Sequence, residues 1–129
     1  MERDRPEIRG QALGEVHLVD AKGGTPHRLS ANDPPACTKL KSPGVVNSWP
    51  KWAPGVVEKN GKKYYWLVFS SVRRGNPQSA PPQLFVAGVI EENGKLTSSG
   101  ALHLWNQPAM EGNHTPSWAN FKIPPANPN

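Results

Sequence analysis

The apolar residues of this 129-residue chain occur in short runs that are separated by stretches rich in proline and glycine. Fifteen prolines and twelve glycines punctuate the sequence, and no stretch keeps a helical period of apolar positions for three turns. Short apolar runs bounded by turn residues are typical of β-strands. The pattern therefore predicts an all-β fold, and the length allows one ordinary domain.

The most apolar run covers residues 64–71 (YYWLVFSS) and is apolar at both odd and even positions. Such a run predicts a central strand that is covered on both faces. We expect it to pair with residues 48–53 on one side and with residues 83–90 (QLFVAGVI) on the other. Residues 101–105 (ALHLW) are the fourth predicted strand. Together these runs predict one four-stranded antiparallel unit across residues 47–105.

Further elements are predicted on both sides of this unit. Residues 15–20 and 25–30 are expected to form a hairpin around Gly23 and Gly24, since two glycines can supply the positive φ of a tight turn. A proline-containing linker follows as far as residue 46. On the other side, residues 114–119 predict one more strand, and the remaining tail has no pattern.

A motif that returns along the chain supports a repeated structure. The pattern Asn-x-x-Pro-x-Trp-Ala occupies residues 47–53 and again residues 113–119. A repeat at a fixed spacing is the sequence signature of repeat architectures. We therefore expect Trp52 and Trp118 to be buried at equivalent positions of neighbouring sheets, because aromatic side chains dominate core energetics.

Three segments of the unit carry a resemblance to a known family. They are Pro50-x-Trp52-Ala53-Pro54, then Val68-Phe69-Ser70-Ser71-x-Arg73, and then Gln83-Leu84-Phe85-Val86. This combination resembles the repeat of TolB-like (WD40-like, PD40) β-propellers, and residues 15–28 resemble the second half of the same repeat. The chain departs from that repeat at Ala53, where serine is usual, and after Pro54, where Asp-Gly is replaced.

The resemblance implies a partial β-propeller with one complete four-stranded antiparallel blade and parts of its flanking blades. Residues 1–46 would end a preceding blade and add a linker, residues 47–105 would form the complete blade, and residues 106–129 would begin the next blade and end in a tail. Since a closed propeller needs at least four blades, we expect a C-terminal fragment of a longer propeller.

The same resemblance implies a non-catalytic scaffold for protein–protein interaction, in a family that is periplasmic or secreted. The charged N-terminus, MERDRPEIRG, shows no secretory signal. An alternative is a propeller piece accessory to an enzyme, such as a hydrolase, a peptidase or a redox complex, with the catalytic residues elsewhere. A basic nucleic-acid binder is a third and weaker hypothesis.

The charge distribution and the absence of catalytic or metal-binding motifs in the sequence help to choose among these functional hypotheses. The net charge is +5, but the basic residues are scattered, which disfavours a specific nucleic-acid site. The histidines lack the spacing of a zinc site, and Cys37 is the only cysteine. The sequence contains no Gly-x-Ser-x-Gly elbow and no Gly-rich phosphate loop. We therefore expect no catalytic, metal-binding or cofactor-binding residues, and no run is long enough to span a membrane.

The candidate interaction surface consists of aromatic and basic residues at strand ends and in loops: Trp49, Arg73, Arg74, Trp105 and His114. His114 stands where the first motif copy has Ser48, so we expect it to make a hydrogen bond that both repeats share. A blade face without its neighbour would be a large bare apolar patch, which soluble monomers rarely show. The expected partners are therefore other proteins, missing blades or a second copy of the chain.

Overall fold

The computed structural model describes residues 14–33, 47–73 and 81–119, and within these ranges the chain is all-β. Arg74, Cys37, most of the predicted linker and the C-terminal tail lie outside them. The described residues contain one short 3-10 turn, Ser30–Asn32, and no α-helix. The strands are β1 His17–Leu18, β2 His27–Arg28, β3 Asn47–Trp52, β4 Val57–Lys59, β5 Lys62–Ser71, β6 Gln83–Glu92, β7 Lys95–Ser98 and β8 Leu102–His103.

The larger sheet has six strands arranged in four antiparallel rows. Both β3 and β4 pair with β5, so together they form an interrupted first row. Both β7 and β8 pair with β6 and form an interrupted fourth row. The prediction that residues 64–71 form a central strand between residues 48–53 and 83–90 is confirmed. The predicted N-terminal hairpin is also present, although β1 and β2 have only two residues each.

Two Asn-Gly turns set the register of the central rows. Asn60 and Gly61 both have positive φ (52° and 73°), as do Asn93 and Gly94 (51° and 74°). Two consecutive residues with positive φ form the primed turn that joins antiparallel strands without a longer loop. The neighbouring strands therefore extend to the turns. Residues 57–59 form a strand that was not predicted, and the fourth row begins at Lys95 instead of the predicted residue 101.

One face of the sheet, here named the hairpin face, carries the core. Alternate residues of β5 and β6 point to this side because side chains alternate along a strand. The β1–β2 hairpin and the turn after it cover the face and share one apolar cluster with it. The buried members of this cluster are Val16, Leu29, Ala31, Leu67, Phe69, Phe85, Ala87 and Val89.

The opposite side of the sheet is only partly covered and is named the open face. Val68 and Ser70 are buried on it, and the Ser70 hydroxyl donates to the Asn113 carbonyl at 3.2 Å. The rest of the face exposes large apolar side chains, including Trp66 and Leu102, of which Leu102 is 63% exposed. The Trp66 ring lies across Gly88 of β6, where an added Cβ would lie 3.4 Å from the ring. Gly88 therefore marks a close approach of the Trp66 ring to the backbone of β6.

A buried amide ties the hairpin to the sheet. Asn32 is fully buried, and its Oδ1 accepts from the backbone N–H of Val16 at 2.7 Å and from Asn47 Nδ2 at 2.8 Å. Its Nδ2 donates to the carbonyls of Val16 (2.8 Å) and Leu29 (2.9 Å). The side chain thus replaces a strand partner for Val16 and binds the first residue of β3 at the same time.

Candidate functional site

The two copies of the Asn-x-x-Pro-x-Trp-Ala motif lie side by side at the edge of the larger sheet. The first copy forms β3, whereas residues 114–119 form no strand, so the predicted strand there is wrong. Pro50 occupies the position equivalent to Pro116 and lies within β3, at its register shift, so the proline alone does not prevent a strand. The second copy is held instead by the Trp118 Nε1–H, which donates to the Lys51 carbonyl at 3.0 Å.

The repeated tryptophans are partly exposed, which corrects the prediction that both are buried. Trp52 is 45% exposed and Trp118 is 40% exposed. They lie in one groove rather than in equivalent cores of neighbouring sheets, because the second copy folds against the first instead of starting its own sheet. Their indoles therefore form part of the molecular surface.

The groove between these indoles has a volume of about 270 Å³. Trp52 makes an edge-to-face contact with Tyr65, with ring centroids 5.9 Å apart at 62°. The Tyr65 hydroxyl donates to Glu91 Oε2 at 2.9 Å, and this hydrogen bond raises the pKa of Tyr65. The phenol therefore stays protonated at neutral pH and holds the ring against which Trp52 packs. The residues that line the groove are Lys51, Trp52, Pro54, Pro116, Ser117 and Trp118.

A second aromatic pair from the two copies lies on the same edge. Trp49 and His114 contact each other with ring centroids 5.9 Å apart at 69°. Both side chains are exposed, so the structure brings together two of the predicted interaction residues. The expectation of a hydrogen bond from His114 is replaced by this ring contact, since no bond from its side chain is seen within the described residues.

Trp49 also has an unusual backbone conformation. Its φ is 52°, and it lies in the irregular part of β3 between Ser48 and Lys51, where the register with β5 shifts. A bulky residue in the left-handed region is uncommon and costs on the order of 1–3 kcal/mol. Such strain persists where surrounding contacts fix it, and it is concentrated at functional sites. The irregularity places the Trp49 ring against His114 at the sheet edge.

The other predicted surface residues lie elsewhere. Trp105 is 87% exposed and lines no part of the groove. Arg73 is only partly exposed, and its place on the interaction surface stays a prediction. Its Nη2 donates to the Ala31 carbonyl and to Asn47 Oδ1, both at 2.9 Å. Arg74 is outside the described residues, and its role stays a prediction.

The Arg73 guanidinium packs over the core of the hairpin face. Its central carbon lies 5.3 Å from the ring centroid of Phe69 and 4.9 Å from that of Phe85. Burial lowers the pKa of Arg73 to about 10, and the guanidinium is still charged at neutral pH. The aromatic faces and the carbonyl oxygens compensate part of this burial, and the charge of the Asp33 carboxylate also favours the charged guanidinium. Arg73 therefore joins the hairpin to the sheet.

A polar network covers the end of the sheet at which β5 ends and β6 begins. Gln83 Oε1 shares a hydrogen bond with His103 Nε2 at 2.8 Å, and Gln83 Nε2 donates to the Pro108 carbonyl at 3.0 Å. Gln107 pairs with the backbone of Leu84, since Oε1 accepts from its N–H and Nε2 donates to its carbonyl. The Gln107 side chain thus satisfies the backbone groups of Leu84 in the manner of an extra strand. His103 is bonded to Gln83 in the same network, so its role is structural.

The described ranges lack any group of three or more His, Cys, Asp or Glu side chains that could hold a metal ion. Within the same ranges, no helix is long and apolar enough to cross a membrane. The feature that sequence reasoning missed is the shared groove of Trp52 and Trp118. The repeated motif was its signal, but a repeat shows that two positions are equivalent and does not show whether they are covered.

The chain was compared with protein-family models, with curated protein sequences and with solved structures. None of the three comparisons gives a match.

Proposed function

We propose that the chain is a non-catalytic β-propeller module of the TolB-like type that acts as a protein–protein interaction scaffold. The observation that carries this proposal is the position of the segments before and after the four-row sheet. The preceding hairpin packs on the hairpin face, whereas the following segment contacts Ser70 of the open face through Asn113 and then runs along the edge of β3, where Trp118 bonds to Lys51. In a propeller, each four-stranded blade is flanked by its sequence neighbours in this way.

The strand order gives further support. The four rows follow the chain from β3 to β8 as a simple meander, which is the strand order of a propeller blade. The second motif copy starts beside the first row, and the Trp118 indole reaches the Lys51 carbonyl on that row. The inner strands of successive blades lie next to each other in the same way around a propeller channel.

The open face indicates where this module binds a partner. Its exposed apolar residues lie on one side of the sheet, as the cross-strand pairs Val57 with Tyr64, Trp66 with Gly88 and Val86 with Leu102 show. Soluble monomers rarely expose contiguous apolar patches of this kind. The hairpin face shows how such a surface is buried, namely under the apolar side of another β-hairpin. We infer that a neighbouring blade, in the same assembly or in a second copy, covers the open face.

The test compares the mass in solution of the wild-type chain with that of a Leu102→Lys variant by light scattering over a range of concentrations. We expect the wild-type mass to rise above 14.1 kDa with concentration and the Leu102→Lys variant to stay nearer that value. A lysine in this position places a charge where the neighbouring sheet would pack, which disfavours association. Val19→Lys is the matched control, since Val19 lies on the hairpin and is similarly exposed (57% against 63%).

Two results would overturn the proposal. One is a monodisperse 14.1 kDa wild-type chain with a sharp, concentration-independent thermal transition. The other is association that Val19→Lys abolishes and Leu102→Lys leaves unchanged, because the contact would then lie on the hairpin.

A further inference from the structure

The groove at the edge of β3 has walls that are rigid before any ligand arrives. Trp118 is fixed by its indole hydrogen bond to the Lys51 carbonyl, and Trp52 is fixed against Tyr65. Pro54 and Pro116 add two rings with a locked backbone torsion. Such side chains lose little conformational entropy on binding, and a preformed surface binds more tightly for that reason. The groove is thus already arranged as a binding surface.

The lining restricts the chemistry of the ligand. Among the described residues that line it, Lys51 and Ser117 have polar side chains and Trp52 adds an indole N–H, whereas the Trp118 indole N–H is already engaged. A sugar needs several placed hydrogen-bonding groups beside a stacking plane, and this groove supplies few. Its indole and prolyl walls instead resemble in chemistry the aromatic-lined grooves on which polyproline II segments dock. Such segments are already extended without internal hydrogen bonds, so they lose little entropy when they bind.

The charge at the groove adds a second restriction. Lys51 is exposed, and within residues 14–33, 47–73 and 81–119 no carboxylate forms an ion pair with it. An unpaired ammonium group at the rim favours a ligand of opposite charge and disfavours a basic one. We propose that this groove binds a proline-rich segment in the polyproline II conformation that carries an acidic residue beside its prolines. The proposal concerns a different surface from the open face and does not depend on the propeller assignment.

The experiment titrates the full-length, ¹⁵N-labelled chain with a synthetic peptide of six prolines flanked by glutamates. The indole N–H signals report the position of binding, and calorimetry gives the dissociation constant. We expect the Trp52 and Trp118 signals to shift. We expect Trp118→Ala to weaken binding by at least about 10-fold, or about 1.4 kcal/mol, a loss within the range measured when an aromatic anchor is removed.

Charge reversal tests the second part of the proposal without removing an aromatic wall. Lys51→Glu should weaken binding of the glutamate-flanked peptide by about 2- to 5-fold, and it should strengthen binding of a lysine-flanked peptide by a similar factor. Lys22→Glu, on the hairpin turn, is the matched control and should change neither affinity. Met110→Ala, at an exposed residue that does not line the groove, should also have no effect.

Circular dichroism establishes that each variant is folded, and if Trp118→Ala is not, the Lys51→Glu reversal decides the outcome. The proposal is overturned if neither indole signal shifts at millimolar peptide, or if a peptide with alanines in place of prolines binds equally well. It is also overturned if an oligosaccharide such as cellohexaose shifts these signals and the peptide does not, because the groove would then be a sugar site.

Discussion

Replacing Asn32 by aspartate tests how the hairpin is joined to the sheet. The change keeps the shape of the side chain and the oxygen that accepts from the Val16 N–H and from Asn47 Nδ2. It replaces the amide nitrogen, which donates to the Val16 and Leu29 carbonyls at 2.8 and 2.9 Å, by a second oxygen. Two hydrogen bonds would become contacts between oxygens in a fully buried position, where a carboxylate is also desolvated.

The size of the effect follows from these terms. Each buried carbonyl that loses its donor costs about 1–3 kcal/mol, and the carboxylate limits its own desolvation cost by taking up a proton. We expect Asn32→Asp to lower the free energy of unfolding at pH 7 by about 3–5 kcal/mol. That loss corresponds to a fall in melting temperature of roughly 10–25 °C for a domain of this size. Thermal melting followed by circular dichroism measures it at a fixed protein concentration.

The pH dependence separates this explanation from a general loss of packing. Burial raises the pKa of a carboxyl group above its unfolded value, so the folded variant binds more protons than the unfolded one between those two values. The stability deficit relative to wild type should therefore shrink as the pH falls from 7 to 4. Asn93→Asp, in an exposed turn with φ of 51°, is the control and should change stability little, since aspartate also tolerates this conformation. A deficit below about 1 kcal/mol at pH 7, or one that does not shrink at pH 4, would refute the reasoning.

Two further predictions concern packing and charge. Trp52→Ala should cost about 1–2 kcal/mol in urea unfolding, less than the roughly 3–5 kcal/mol for Phe69→Ala, because Trp52 is 45% exposed and Phe69 is fully buried; equal losses would contradict the observed exposure. The hydrogen bond from Arg28 lowers the pKa of Glu15, so the stability from this pair is present above pH 4.5 and is lost as the pH falls through the lowered value. Melting temperatures should therefore fall less between pH 6 and pH 3 in Glu15→Gln than in wild type, and identical slopes would contradict this linkage.

The central rows of the sheet could be predicted because their signals are local. The run at residues 64–71 is apolar on both faces and therefore predicts an interior strand covered on both faces, whereas the structure covers the hairpin face and leaves Trp66 on the open face 45% exposed. The two Asn-Gly turns also indicate where the neighbouring strands begin and end, and the prediction did not use this information. Asn60-Gly61 and Asn93-Gly94 favour two-residue turns, so strands should have been expected directly on both sides of each turn. That rule would have predicted β4 and the start of β7, which carry little apolar signal of their own.

The contacts that join the hairpin to the sheet could not be predicted, because they form between residues that are far apart in the sequence. Asn32, Asn47 and Arg73 are polar residues that a sequence places in loops or at strand ends. Their burial depends on meeting each other across 15 to 26 residues of chain. A short polar side chain in a turn and one in a buried network have the same local sequence. The contacts of Arg73 could not be predicted for the same reason, because the groups that accept its hydrogen bonds come from other elements.

The tryptophans show how a repeat in sequence can differ from a repeat in environment. Trp52 lies beside a formed sheet and Trp118 on a segment that forms none, yet both indoles line the same groove. A core position would bury the whole side chain, whereas this groove leaves Trp52 45% exposed and Trp118 40% exposed. Pro116 belongs to the second copy and Pro54 directly follows the first, and both line this groove, so the repeated motif and its next residue supply the walls of a surface. The repeat is consequently an argument for binding at the edge of β3 as well as for repeated architecture.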